Sequence, residues 1–152
     1  MATVKGKRLI YVGPADGAEH KALTVEGKAI GAAIPPGTVL KMVATGLSIS
    51  NIAATVFSNQ LLVADVDRQR SLTTDDDWAQ NENMVAIAPR SGEYVNVLTA
   101  TGNNITSRGV GLTRNGAGLL AIAATDGTEQ IVAYSDEIVN LAADALVRVR
   151  IA

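Results

Sequence analysis

The sequence predicts an all-β protein: a small single-domain β-sandwich or barrel with an extended N-terminal arm. Three observations carry that expectation. Apolar runs are short and alternate with a period of two, as where Tyr94, Asn96 and Leu98 interleave with Val95, Val97 and Thr99. Breaks rich in Gly, Pro and Asn recur every ~8–12 residues, the punctuation of a sandwich or barrel. No stretch sustains the helical period over any length.

Residues 1–30 stand apart as the arm, and residues 31–152 form the β-domain. Within the arm, 8–13 (RLIYVG) reads as one short strand, Pro14 to Gly17 as a turn, and 19–28 as mixed charges with few apolar residues. Two readings stay open for it: a solvated, frayed terminus, or a segment that adds a strand to a partner's sheet edge. On the second reading, removing 1–13 leaves the β-domain folded but weakens the partner contact.

After Ile34, Pro35, Pro36 and Gly37 stop the chain, and 38–44 (TVLKMVA) resumes as a strand. Residues 47–56 begin by alternating and end in what reads equally as a helical turn, and 60–66 is a strand. The polar stretch 67–83 reads as a structured loop around the single Trp, with Thr74 or Asp75 capping one helical turn through Trp78. Strands follow at 84–88 and 93–100, with a shorter run at 104–108. Asn115 and Gly116 between apolar flanks are a hairpin signal. Residues 129–134 form a strand, and 139–145 is a short helix or a loop. The end, ALVRVRIA, sets Val147, Val149 and Ile151 against Arg148 and Arg150, a strand with one apolar and one cationic face.

Composition bounds the role. At 152 residues the chain supports one complete core, but only 3% of it is aromatic. Burial of small side chains at ~25 cal/mol per Å2 leaves a thin margin over chain entropy, so association is expected to help. A net charge of −2 argues against a nucleic-acid partner, which would need a basic surface. The chain has no cysteine, which excludes disulfides and thiolate metal sites. No apolar run approaches the ~20 residues of a membrane-spanning helix, so no membrane partner is expected.

The chemical inventory is sparse. His20 has no second His and no Cys with which to hold a metal. Asp75, Asp76 and Asp77 lack the alternation, glycine and closing glutamate of a calcium loop, and read better as a capped turn. Gly109, Gly111, Gly116 and Gly118 lack the Lys and Ser/Thr of a phosphate loop and read as turn glycines. No catalytic residue, metal site or cofactor is expected.

The order of parts from Ile34 onward carries a resemblance. PPGTVLKM opens the body, and LLVADV ends a strand before a polar loop with acidic residues ahead of an aromatic. An Arg-x-Gly-Glu turn, an alternating strand, a Gly/Asn break, a late Asn-Gly hairpin and the closing ALVRVRIA follow. In this order the chain resembles the head decoration, or capsid cement, proteins of tailed bacteriophages. That resemblance implies a non-catalytic virion protein, made in the host cytoplasm, that binds the outer surface of the assembled capsid. It would bridge copies of the major capsid protein and stabilise the head, often as a homotrimer. The arm holds five basic residues against three acidic ones, and Lys5, Lys7, Arg8, Leu9 and Ile10 are its expected capsid contacts. The alternative is a β-sandwich binding module of tail-fibre or carbohydrate-recognition type, with Trp78 beside the three aspartates as its sugar platform.

Overall fold

The computed structural model describes residues 7–14, 22–58 and 60–152. These residues form strands and no helix. The first strand, β1 (Tyr11–Gly13), precedes five that close into a barrel. These are β2 (Thr24–Ile30), β3 (Val39–Val43), β4 (Gly46–Ile49), β5 (Leu62–Ala64) and β6 (Asn83–Ile87). The rest are β7 (Tyr94–Thr99), β8 (Asn104–Ile105), β9 (Gly111–Arg114), β10 (Leu120–Ile122), β11 (Ala133–Ser135), β12 (Val139–Asn140) and β13 (Ala145–Ile151). Strands β7, β10, β9, β11 and β13 close a second barrel, because β13 returns to β7 in register from Ala145 opposite Thr99 to Arg150 opposite Tyr94. Strands β8 and β12 form a separate two-stranded ribbon.

The period-two reading holds in β13 from Val147 to Ile151, whereas β7 is buried on both faces, Asn96 and Leu98 as well as Val95 and Val97. In β13, Val147, Val149 and Ile151 are buried, Arg148 is half-buried and Arg150 is exposed. The Asn115 hairpin joins β9 to β10 antiparallel, its turn closed by the Asn115 side chain, which accepts the amides of Ala117 and Leu119.

Elsewhere the structure corrects the expectation. Residues 24–30, assigned to the arm, are β2, a barrel strand antiparallel to β6 and parallel to β4. Its inward positions are Val25, Gly27 and Ala29, with Leu47 packed into the space that a larger residue at 27 would take. Such small side chains give almost no hydropathy signal. The stretch 67–83 contains no helical turn; Trp78 instead makes a backbone bridge to Ile34. Residues 139–145 are neither helix nor plain loop, since Val139 and Asn140 pair with Ile105 and Asn104.

Two apolar clusters fill the molecule. A smaller one lies in the first barrel around Ile34, Leu40, Leu47, Trp78 and Met84. The larger one spans both barrels, packing Val39, Val63 and Ile87 with Val97, Leu98, Leu112, Leu120 and Val147. The seam between them runs through Gly37. Its amide donates to Ala64 O at 2.8 Å in the first barrel, and its carbonyl accepts from the Leu98 amide at 2.9 Å in the second. Two residues on, the Val39 amide donates to Gly118 O at 2.8 Å. Gly37 has φ +87°, and a Cβ there would lie 2.3 Å from Leu146 Cδ2. Gly37→Ala therefore combines left-handed backbone strain with overpacking, and is expected to lower unfolding free energy by about 2–4 kcal/mol. Urea unfolding checks this; a variant as stable as the parent would show that the seam relaxes freely.

Candidate interaction surface

The N-terminal segment does add a strand, but to its own chain. Strand β1 lies along β7, with Tyr11 opposite Val95. Asn96 clasps it from both backbone and side chain: its amide donates to Ile10 O and its Nδ2 to Leu9 O, each at 2.7 Å. Ile10 is fully buried in the larger core, so it cannot meet a partner. Lys7 is ion-paired with Glu137, and its carbonyl accepts the Thr74 hydroxyl. Arg8 and Leu9 are exposed, while Lys5 and His20 lie outside the described residues. The four expected contacts among the described residues, Lys7, Arg8, Leu9 and Ile10, do not form one exposed surface. Only Arg8 and Leu9 are placed for outward contact among those described.

Below this strand sits Glu93. Burial alone would raise its carboxyl, but hydrogen bonds from the Tyr11 hydroxyl, the Arg90 amide (2.6 Å) and the Arg90 guanidinium (3.3 Å) outweigh that and hold it low.

The sugar-platform expectation fails. Trp78 is only 4% exposed, and its indole Nε1 donates to Asp65 O at 2.7 Å. Its ring fills the first barrel's core and is too little exposed to stack a sugar. Beside it, a cleft of about 860 Å3 is lined by Tyr11, Glu26, Asp65, Asp67 and Arg68, among others. Its buried carboxylates are committed to the fold. Asp65 accepts the Val66 amide at 2.8 Å, and its burial raises it above the ordinary aspartate range. Asp67 binds Arg70, which in turn forks onto Glu82 at 2.9 and 2.8 Å. Among the described residues no group of three or more His, Cys, Asp or Glu side chains is placed to hold a metal.

A different feature projects outward. The connection from β4 to β5 carries Val56 and Phe57, and Phe57 is 68% exposed. Beneath it lies Arg114 of β9, itself buried. Its guanidinium donates to Gln60 O (3.0 Å), to Val56 O (3.3 Å) and to the Gln130 side chain. Gln130 completes the clamp: its amide donates to Ala54 O at 2.9 Å, and its side chain exchanges hydrogen bonds with the Ser58 backbone at 3.0 Å each way. No carboxylate neutralises Arg114 among the described residues, and burial lowers its pKa. A buried cation satisfied by neutral acceptors is costly to the fold, so its placement is informative: it fixes the loop that presents an apolar tip. Met42 beside Gln60 and Ile131 beside Gln130 are also exposed. Sequence reading missed this knob. Its one trace was the chain's single Phe, placed in a run with no period.

No family model and no curated protein matches the chain. Among solved structures it is similar to the N base of head fiber gp8.5 of bacteriophage phi29, with a TM-score of 0.54 and 14% identity, covering 87% of this chain and 95% of that one. This chain shares the fold of a phage head fiber base. At that identity the likeness is one of architecture.

Two outcomes follow from the geometry. Glu93 ionises more readily folded than unfolded, so its contribution is complete above the unfolded value of about 4.3 and is lost as pH falls through the lower folded value. Thermal melts are expected to fall between about pH 5 and 3, less steeply in Glu93→Gln. Equal slopes would remove Glu93 from the acid response. Replacing Arg114 with Met orphans the acceptors under the knob and is expected to cost about 1–3 kcal/mol, read by urea unfolding.

Proposed function

We propose that this chain is a structural protein of a phage head, a decoration protein seated on the outer surface of the assembled capsid. The observation that carries the reading is the fold shared with a head fiber base over most of both chains. The order of turns and strands from Ile34 onward, resembling capsid cement proteins, supports it independently.

On this reading the partner is the major capsid protein, and the Val56 and Phe57 knob is the anchor. An exposed aromatic on a rigid loop loses little conformational entropy on docking, and burying it is worth about 1.5–3 kcal/mol. Arg8 and Leu9 form a secondary contact. Many copies that bind the assembled lattice and not its dispersed subunits stabilise the lattice by mass action. The apolar, aromatic-poor composition favours association of the copies with one another, as a homotrimer by the same resemblance.

The similarity to a fiber base favours a second reading, in which the chain is the foot of a projecting fiber and need not stabilise the shell. Copy number separates the two. Purified protein mixed with heads assembled from the major capsid protein of the same phage is expected to co-sediment saturably, in many copies per head, and to raise the temperature at which heads break. A few copies per head without stabilisation would favour the fiber foot, and no co-sedimentation would sink both. Phe57→Ser is expected to weaken binding about tenfold or more with an unchanged melt, because the side chain is already exposed.

A further inference from the structure

The outer face of the second barrel carries an unusual row. In register across three strands, Arg150 of β13 stands between Tyr94 of β7 and Tyr134 of β11. Directly opposed side chains on adjacent strands lie about 4.5–5.5 Å apart at Cβ, so Arg150 has a tyrosine as its cross-strand neighbour on either side. Arg150 is exposed. Arg148, two residues earlier on the same face, donates to Asp136 at 2.6 Å, whereas Arg150 has no ion-pair partner among the described residues. Its charge is held in place but unspent.

The complement sits on the same chain. Asp75, Asp76 and Asp77 form an exposed loop tip. Asp76 is used internally, accepting the Thr73 amide at 2.7 Å and hydroxyl at 3.0 Å. Asp75 and Asp77 have no ion-pair partner among the described residues. Thr74 is buried and pins the tip to the Lys7 carbonyl. The loop is therefore a pre-set acidic knob with two free carboxylates.

We infer that the face centred on Arg150 receives the Asp75 and Asp77 loop of a second copy of this chain. Among the described residues the Arg150 row and the acidic tip do not pair within a chain. The contact is therefore head-to-tail, the kind that closes into a ring of identical subunits when the rotation permits. Arg150 forks onto a carboxylate, and docking of the second copy takes that pair out of water, which strengthens it. The inference extends the reading that the protein assembles with itself.

Sedimentation velocity without heads tests it. The parent is expected to self-associate at micromolar concentration. Arg150→Glu alone, and Asp75→Lys with Asp77→Lys, are each expected to raise the association midpoint about tenfold or more, and all three changes together to restore it. Arg150→Gln serves if the glutamate disturbs the sheet, as judged by its melt. A parent that stays monomeric, single variants that associate like the parent, or a triple variant that stays dissociated would each overturn the inference. Failure of head binding would leave it standing, while a monomer that still binds heads overturns this contact alone.

Discussion

One edge of β7 is the constraint on which the rest of the molecule depends. Its other edge is fully paired with β13, but this one is completed by three segments from distant parts of the chain. Strand β1 covers it as far as Asn96, the Gly37 carbonyl accepts from Leu98, and β10 closes it at Thr99 and Ala100. A buried backbone donor left unpaired costs about as much as a lost hydrogen bond, so each segment must arrive where it does. Only glycine can be the middle one, because the backbone approaches Leu146 too closely for a side chain and turns through positive φ. The same residue reaches Ala64 in the first barrel, so completing β7 and joining the barrels are one event.

That arrangement explains why the N-terminal segment belongs to the fold. Closed barrels have no free edges, and an unclosed shoulder on β7 would be a template for pairing with other chains. Strand β1 covers that shoulder, Ile10 enters the core both barrels share, and Asn96 locks the pairing. The apolar run that looked available for a neighbour's sheet is used at home.

The polar interior follows a common logic. Arg114, Asp65 and Glu93 are buried, and each is spent on holding a loop or edge: the Val56 and Phe57 knob, the start of the 65–70 turn, and strand β1. A scaffold that locks its own loops so firmly leaves Phe57 and Arg150 exposed on rigid supports. Rigid, pre-formed contacts suit a protein whose task on the proposed reading is to fit a repeating lattice.

The sequence by itself determined the all-β class and the existence of β7 and β13, because short runs of branched side chains between turn residues read as strands; it did not show that β7 is buried on both faces. It also placed the Asn115 hairpin, since local turn chemistry is decided by neighbouring residues. Tertiary structure decided the rest. Strand β2 was illegible because Gly27 and Ala29 face inward, and their fitness depends on Leu47 filling the space beside them. Trp78 looked like a surface platform beside three aspartates until its indole met Asp65 O inside the first barrel. The knob and the row about Arg150 join residues far apart in the chain, from 56 to 130 and from 94 to 150. Local pattern can say which residues face outward, but only the closing of the barrels determines which of them stand together.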